Sequence, residues 1–158
     1  MFSVIFPGQG SQFVGMGKEF YDNFDYVREY FLIADEILKK KLSQITKSKF
    51  VIPTINGTSA LHIALKVIGV TSQDEVLVPS LSFVAPVNAI LYNNAIPHFI
   101  DSEINHFGVD TKKLENYLEK NTFIRKNLCI NKKTNKIIRA LILVHVFGHP
   151  AKIADTLS

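Results

Sequence analysis

The sequence predicts an α/β protein, with helices that flank a mostly parallel sheet, from three features of residues 47–158. Short apolar segments with strand composition alternate with segments of a second type. In the second type, apolar residues recur every three or four positions, as they do on one helix face. Such alternation is typical of βαβ units. The third feature is the nearly continuous apolar run at residues 136–147, which fits a strand covered on both faces.

The elements predicted before this region are a strand at residues 2–6 and one or two amphipathic helices over residues 17–42. The apolar face of the helical part is Phe20, Phe24, Val27, Phe31, Ala34, Leu38 and Leu42. A face of this kind needs a partner surface. The pattern is lost at residues 43–50, where we place the boundary between two domains, residues 1–46 and 47–158.

Beyond the boundary, the spacing predicts a helix over Thr58–Ile68 that stops at Gly69. Its predicted apolar stripe is Ala60, Leu61, Ala64, Leu65 and Ile68. His62 and Lys66 are assigned to the polar side. The elements that follow are strand EVLVP, helix Phe83–Tyr92, strand PHFID, helix Thr111–Glu119 with Asp110 as N-cap, and the strand at 136–147. The Lys- and Asn-rich segment Lys120–Arg139 predicts a long exposed loop.

Composition narrows the class of protein further. The chain has 158 residues, enough for one domain or for one domain plus a fragment. Its net charge of +4 is concentrated in Lys120–Arg139, so we expect no nucleic-acid partner. Because Cys129 is the only cysteine, an internal disulfide is excluded. No signal peptide and no apolar run near the ~20 residues that span a bilayer is found. We therefore expect a soluble, cytoplasmic protein without a membrane partner.

Gly57-Thr58-Ser59 opens the first helix beyond the boundary and has two interpretations. Helix N-termini leave N–H groups unpaired and carry a partial positive charge. Glycine admits an anion closely and the two hydroxyls add donors, so these residues are able to form a phosphate cup. The alternative is simple N-capping by one hydroxyl, which is the more economical interpretation of this motif alone.

Phe83 follows the strand EVLVP and precedes a helix in the stretch VPSLSFVAPVNAI. Side chains at the carboxyl edge of parallel strands face the ligand crevice of such sheets. Phe83 is therefore placed to stack on a flat ring. The alternative is that Phe83 is a core residue, which is the better interpretation of this position by itself.

Four blocks in this order resemble the N-terminal part of the DegT/DnrJ/EryC1 sugar aminotransferases, in their LegC-like variety, over residues 50–158. The blocks are NGTSALHIAL, GVTSQDEVLVPSLSFVAPVNAI, AIPHFID and VHVFGHPA. The resemblance implies part of a fold-type I large domain, pyridoxal phosphate as cofactor, a nucleotide-sugar substrate, and a homodimer or a complementing chain. It also implies that Thr58 and Ser59 hold the cofactor phosphate, that Gly57 opens the turn, and that Phe83 stacks on the pyridine ring. Ser82 and Pro86 stand where threonine is usual.

The same resemblance bears on activity. In that family the aspartate that pairs with the pyridine nitrogen and the lysine of the Schiff base follow the VHVFGHP block. We therefore expect no catalytic residue within this chain and no transaminase activity from it alone. We also expect ALILVHVF or a neighbouring segment to form an exposed, aggregation-prone sheet edge.

The opening stretch, VIFPGQGSQFVGMGKEFYDNF, resembles the start of malonyl-CoA:acyl-carrier-protein transacylases over residues 1–46, a strand–helix fragment. The resemblance implies that Gln9 lends its backbone N–H to an oxyanion hole. The nucleophilic serine of that family, in a G-H-S-x-G elbow, has no counterpart here. Three interpretations stay open: a truncated chimeric aminotransferase-like chain, a transacylase fragment, or a non-catalytic gene remnant.

A metal site is the last candidate. His145 and His149 are four residues apart, a spacing that grips zinc when both lie on one helix face. Here they flank the end of a predicted strand, with no carboxylate or thiol close in the sequence. We therefore expect no metal site.

Overall fold

The computed structural model describes residues 18–48, 50–105, 107–151 and 156. The predicted strand at residues 2–6 and the predicted oxyanion-hole residue Gln9 lie outside this part. The chain divides into two compact units, Met1–Pro53 and Thr54–Ser158. The predicted boundary between residues 46 and 47 separates segments that resemble two different protein families. It is a different kind of boundary from the division into compact units, and it stays a prediction.

The described part of the first unit is helical, as predicted. It contains α1 (Lys18–Asn23) and α2 (Asp25–Thr46). The predicted helical part ended at residue 42, whereas α2 continues to Thr46. The first four residues of segment 43–50 are therefore helical. The Thr46 hydroxyl donates to the Leu42 carbonyl at 2.8 Å, which satisfies an acceptor of the last turn. The helix ends at Lys47, whose φ of 55° is left-handed.

The described side chains of the apolar face predicted for residues 17–42 are exposed, among them Phe24 and Leu42. The Phe31 ring meets the Tyr21 ring edge-on at 5.9 Å, yet Phe31 and Leu38 are both exposed. The periodicity therefore predicts the helix correctly, but it does not identify a surface that packs against the apolar face of the helix.

The second unit contains the predicted alternation of helices and strands. In chain order its elements are α3 (Gly57–Val67), β1 (Glu75–Pro79), α4 (Val84–Tyr92), β2 (Ile96–Ile100), α5 (Thr111–Asn121), β3 (Thr122–Arg125), β4 (Leu128–Asn131), β5 (Ile137–Leu141) and a 3-10 turn at Val146–Gly148. Two predicted stop and start signals are confirmed. Gly69 follows α3 with a φ of +85°, and the Asp110 carboxylate accepts the Lys113 N–H at 3.0 Å.

The sheet has the order β2-β1-β5-β4-β3. β1 pairs in parallel with β2 and β5, whereas β4 pairs antiparallel with both β3 and β5. The α/β class is therefore confirmed, but the sheet is mixed rather than mostly parallel.

The loop predicted for Lys120–Arg139 is wrong. Most of this segment forms the β3–β4 hairpin and the start of β5. Lys126 and Asn127 connect the two hairpin strands with φ values of 50° and 65°, and positive φ at both central residues suits the twist of a two-residue turn. The lysines of this segment lie in the hairpin turn, at Lys126, and in the connection after β4, at Lys132, Lys133 and Lys136, and their polar character concealed the strands between them.

The expected sheet edge at ALILVHVF is wrong in its length. β4 lies beside β5 but pairs only with Ile137 and Ile138, so this pairing does not cover Ala140 and Leu141. The strand is shorter than predicted and ends at Leu141, although the Ile142 N–H still donates to the Leu77 carbonyl at 2.9 Å.

Two apolar clusters pack on the two faces of the sheet, since successive strand residues point to opposite faces. On one face, α3 and α4 pack over β1 with Leu65, Val76, Val78, Ala89 and Ile90 at the centre. On the other face, α5 packs over the sheet with Leu77, Ile100, Leu114 and Ile138. Among the described residues, no helix is both long and apolar enough to cross a membrane.

The predicted stripe of α3 is only partly correct. Leu65 is buried and Leu61 packs against the same cluster, whereas Ala60, Ala64 and Ile68 are exposed. His62, assigned to the polar side, is half-buried, and its ring meets the Tyr92 ring edge-on at 5.9 Å. The end of α4 therefore covers a side of α3 that the periodicity predicts to face solvent.

Candidate functional site

The start of α3 is capped by a residue that sequence reasoning did not single out. The Asn56 side chain accepts a hydrogen bond from the Ser59 N–H at 2.8 Å, the geometry of an N-cap. The Thr54 hydroxyl donates to the Asn56 carbonyl at 3.2 Å and steadies the approach to the helix. Asn56 therefore caps α3, and the Thr58 and Ser59 hydroxyls do not.

Four donors of the predicted phosphate cup remain. They are the N–H groups of Gly57 and Thr58 and the hydroxyls of Thr58 and Ser59. None of them has a hydrogen-bond partner in the part of the chain that the structure describes. Gly57 is exposed, and no atom lies within 4 Å of the place where a Cβ would stand. The backbone is thus open to a ligand on this side.

The charge at this helix start favours an anion. Asp and Glu are the usual residues of a first turn because they neutralise the positive end of the helix dipole. The first turn of α3 contains none, and Lys66 in its last turn is the expected cation at the opposite end. The partial positive charge of the N-terminus therefore remains available to a bound anion.

Phe83 occupies the N-cap position of α4 and is 75% exposed. The alternative that Phe83 is a core residue is therefore wrong. The neighbouring Ser82 hydroxyl donates to the Phe83 carbonyl at 3.1 Å. The Phe83 ring therefore presents an apolar surface to solvent.

The surroundings of Phe83 lie at the carboxyl edge of the parallel strands. Directly after β1, the Ser80 N–H donates to the Ile100 carbonyl at 2.9 Å, which holds the ends of β1 and β2 together. Parallel sheets bind ligands in the crevice outside this edge. Phe83 lies three residues after Ser80 in the chain, close to the edge where such a crevice is expected.

α3 and α4 pack against each other. The Asn93 side chain donates to the His62 carbonyl at 3.3 Å, and Tyr92 contacts the His62 ring. These contacts join the middle of α3 to the end of α4. Among the hydrogen bonds and ring contacts of the described residues, none joins the phosphate cup to Phe83. A ligand that touches both would bridge them.

The segment after β5 has a strained backbone. Phe147 has a φ of 51°, and its ring meets the Phe107 ring edge-on at 6.3 Å. The His145 Nδ1 accepts the Ala151 N–H at 2.9 Å, while His149 is exposed. Within the described ranges, no group of three or more His, Cys, Asp or Glu side chains is placed to hold a metal ion.

A buried polar cluster at the amino end of β1 was missed by sequence reasoning. The Glu75 carboxylate accepts hydrogen bonds from Asn131 at 2.9 Å and Thr134 at 2.6 Å, and His98 Nδ1 lies 2.7 Å away. Burial raises the pKa of Glu75, but the hydrogen bonds from Thr134, Asn131 and His98 outweigh it and hold that pKa below its ordinary value. These residues are too distant in sequence for any local pattern to connect them.

The fold and the helix start together define a class of protein: an α/β sheet whose carboxyl edge lies beside a donor-rich helix N-terminus, suited to phosphorylated cofactors. The chain belongs to the DegT/DnrJ/EryC1/StrS aminotransferase family, whose model matches residues 35–157. The predicted resemblance of the second segment to the DegT/DnrJ/EryC1 family is thereby confirmed. The match begins inside α2, earlier than the predicted start near residue 50.

Several relatives are sugar aminotransferases by name. GDP-perosamine synthase of Escherichia coli O157:H7 is 34% identical over 71% of this chain and 26% of its own length. EpsN of Bacillus subtilis, a putative pyridoxal phosphate-dependent aminotransferase, is 35% identical over 65% of this chain and 24% of its own. The chain thus spans about a quarter of the length of the relatives it matches.

Solved structures share the fold. An aminotransferase of this family from Brucella abortus has a TM-score of 0.63 and 23% identity, and the match covers 92% of this chain and 40% of that one. NtdA from Bacillus subtilis with bound PMP has a TM-score of 0.60 and 24% identity, over 88% of this chain and 30% of that one. The α/β fold with a mixed sheet therefore matches that of family members.

Proposed function

We propose that Thr54–Ser158 carries the cofactor-phosphate part of a pyridoxal-phosphate site of a nucleotide-sugar aminotransferase. One observation carries the proposal. Because Asn56 caps α3, the Thr58 and Ser59 hydroxyls are left without a structural task at an acid-free helix start. Family membership supports pyridoxal phosphate as the group that this start receives.

The residues of the cup fit a phosphate. The Thr58 and Ser59 hydroxyls and the N–H groups of Gly57 and Thr58 donate to its oxygens. Each hydrogen bond to a charged group contributes about 1.5–3 kcal/mol, and the helix dipole adds roughly 0.3–1 kcal/mol. Phe83 stacks on one face of the pyridine ring and excludes water from it. When bound, the cofactor supplies an electron sink for the carbon that exchanges its amino group.

The substrate class in this proposal is a nucleotide-linked sugar. Relatives with this chemistry in their names support it, among them GDP-perosamine synthases from three bacteria and a UDP-N-acetyl-3-dehydro-glucosamine aminotransferase. A homodimer or a complementing chain as partner, the LegC-like variety, and a role in surface polysaccharide belong to the same proposal.

We expect the chain, assayed by itself, to bind the cofactor without turnover. The family resemblance implies a Schiff-base lysine. None of the lysines in residues 1–158 matches its position. Added pyridoxal phosphate should give no aldimine absorbance that borohydride fixes to one lysine, and no amino transfer to a nucleotide ketosugar. A specific lysine adduct with turnover would refute this expectation.

A comparison of two ligands tests the phosphate cup. The 158-residue chain is titrated with pyridoxal phosphate and with pyridoxal, and the affinities are measured by ligand absorbance or calorimetry. We expect tighter binding of the phosphorylated form. The double variant Thr58→Ala with Ser59→Ala should lose about tenfold or more of that preference, since two charge-assisted hydrogen bonds are removed.

The control is Ser72→Ala, an exposed serine on the turn before β1 that makes no hydrogen bond within the described residues. It should keep the full preference for the phosphorylated ligand. Equal affinities of the unmodified chain for pyridoxal phosphate and pyridoxal would show that the cup is not a phosphate site.

A second proposal concerns residues 1–46 and is supported by the motifs FPGQGSQ and GMG. We propose that this segment is a fragment of a malonyl-CoA:acyl-carrier-protein transacylase, in which the Gln9 backbone N–H belongs to the oxyanion hole. Since the segment has no G-H-S-x-G serine, radiolabelled malonyl-CoA should label neither the chain nor added carrier protein. Stable labelling of the chain would contradict the expectation that the fragment is inactive.

A further inference from the structure

Asn56 is the only asparagine of the chain that a glycine follows. Glycine has no Cβ to hinder its backbone nitrogen, so an asparagine–glycine pair is the least obstructed place for that nitrogen to attack the side-chain amide. Here the Gly57 N–H has no hydrogen-bond partner among the described residues. The pair therefore places a free backbone nitrogen next to the carbon of an amide.

The described surroundings of this pair leave room for the reaction. Asn56 and Gly57 are both exposed. Outside the backbone of α3 and the two neighbouring residues, no atom lies within 4 Å of the place where a Gly57 Cβ would stand. Ring closure requires the peptide between the two residues to rotate away from an Asn56 ψ of 170°, and the open space permits that rotation. The Asn56 Nδ2 makes no hydrogen bond within the described residues, so no such bond retains it as a leaving group.

The cap hydrogen bond of α3 favours the attack. The Ser59 N–H donates at 2.8 Å to Asn56 Oδ1, the oxygen on which negative charge develops when the amide carbon is attacked. The helix N-terminus adds a partial positive charge beside this oxygen, and the first turn of α3 contains no acidic residue that would cancel it. The start of α3 therefore stabilises the developing charge in the way that an oxyanion hole does.

We propose that Asn56–Gly57 is a self-modifying site, at which Asn56 is converted through a cyclic imide to aspartate and isoaspartate without an enzyme. The Gly57 nitrogen loses its proton to solvent and forms a bond to Asn56 Cγ. The Cγ–Nδ2 bond breaks, and the nitrogen takes up a proton and leaves as ammonia. Water then opens the imide at either of its carbonyls. The net reaction exchanges ammonia for water, and nothing is oxidised or reduced.

The conversion introduces a negative charge at a helix start whose first turn carries none. Either product places a carboxylate beside the N–H groups of Gly57 and Thr58, and isoaspartate also lengthens the backbone ahead of α3. A carboxylate there competes with a bound anion for the positive end of the helix dipole. As a consequence that rests on the proposed phosphate cup, the preference for a phosphorylated ligand falls as the modified fraction grows.

Peptide mass spectrometry tests the modification. The 158-residue chain is incubated in mildly alkaline buffer, and digests are analysed for the mass increase that exchange of an amide for an acid produces. Isoaspartate is identified by its separate elution and by labelling with isoaspartyl methyltransferase. We expect position 56 to be converted first, with isoaspartate among the products, because only the cyclic imide gives this isomer.

A synthetic peptide of residues 53–61, PTINGTSAL, is incubated in parallel and shows the conversion of the same residues without the fold. An amide that persists at position 56 of the folded chain while the peptide is converted overturns the proposal. Conversion of the chain to aspartate without isoaspartate overturns it as well, since direct hydrolysis of the amide would then be the route.

Two further asparagines are controls within the same sample. Asn127 and Asn135 are exposed like Asn56, but Leu128 and Lys136 follow them. Their amides should persist while position 56 is converted. Equal conversion at all of these positions would mean that exposure alone decides the reaction, and it would contradict the part assigned to the glycine.

Gly57→Ala tests the attacking nitrogen. The substitution keeps Asn56 and its cap, and the added Cβ enters open space, so α3 should fold as before, which circular dichroism checks. Conversion at position 56 should slow by about tenfold or more, because the Cβ hinders ring closure. An undiminished rate in the folded variant contradicts the cyclic route.

The effect on the phosphate cup has a separate measurement. Asn56→Asp keeps the cap acceptor and reproduces the charge of the aspartate product. Its preference for pyridoxal phosphate over pyridoxal should be about tenfold smaller than that of the freshly prepared chain. Asn127→Asp, in the exposed hairpin turn, changes the net charge equally and should keep the preference. An undiminished preference in Asn56→Asp overturns the proposed consequence.

The modification and the proposed function can fail separately. Equal affinities of the freshly prepared chain for pyridoxal phosphate and pyridoxal would refute the phosphate cup and, with it, the effect of the new charge on a ligand. The modification site is decided by isoaspartate at position 56, which is measured without any ligand.

Discussion

Two polar clusters of the second unit differ in how their hydrogen bonds are satisfied. At the start of α3, four donors of the exposed Gly57 and the half-buried Thr58 and Ser59 have no partner among the described residues. At the amino end of β1, Glu75 is 2% exposed, and both of its carboxylate oxygens accept hydrogen bonds. Buried polar groups must be paired for the fold to persist. Exposed donors left without a structural task are the ones available to a ligand.

The largest expected effect is the loss of the buried cluster. Glu75→Ala removes the common acceptor of Asn131 and Thr134 and leaves the buried Asn131 donor unpaired, whereas Thr134 is exposed and can bond to water. We expect the free energy of unfolding to fall by about 1–3 kcal/mol, measured by urea denaturation. Glu115→Ala on the exposed side of α5 should change it by less than about 0.5 kcal/mol. A Glu75→Ala chain as stable as the original would mean that the cluster is dispensable.

The second effect is the pH dependence that Glu75 confers. Its pKa is lowered from the ordinary 4.5 in the folded chain, so the unfolded chain binds the proton first as the pH falls. The contribution of Glu75 is therefore complete above 4.5 and is lost as the pH falls through its folded pKa. The unfolding free energy, followed from neutral to acid pH, should fall less steeply in Glu75→Gln. An unchanged slope in that variant would contradict the assignment.

The third effect distinguishes the stabilising role of the Asn56 cap from the ligand-binding role proposed for Thr58 and Ser59. Asn56→Ala removes the acceptor of the Ser59 N–H, and we expect a loss of about 1 kcal/mol in the unfolding free energy. The substitution Asn56→Asp keeps an acceptor and should preserve stability. If Asn56→Ala costs nothing, a different residue caps α3, and the freedom of the two hydroxyls no longer follows.

The smallest expected effect on stability is that of the cup itself. Thr58→Ala with Ser59→Ala removes hydroxyls that make no hydrogen bond within the described part of the chain, so the unfolding free energy should change by less than about 0.5 kcal/mol. Phe83→Ala should be similarly mild, because its ring is exposed. A large loss of stability from either variant would assign these residues to the fold rather than to a ligand.

Sequence reasoning succeeded at some local signals and missed others, such as the Asn56 cap of α3. Gly69 and Asp110 mark helix ends through their own backbone and side-chain geometry, and both are confirmed. It failed at Lys120–Arg139, because the lysines and asparagines that surround the short strands β3 and β4 give the segment the composition of a loop. The roles of Thr58, Ser59 and Phe83 came from resemblance, and the structure adds that Asn56 frees the two hydroxyls from capping.

The sequence by itself determined the helices, most strands, the α/β class and the family, because periodicity, caps and motif order are properties of neighbouring residues. Only the tertiary structure decided the strand order, the burial of His62 and the assembly of the Glu75 cluster. Those features join residues as far apart as Glu75 and Asn131. No short-range pattern encodes such a pairing, since it exists only once the strands are side by side.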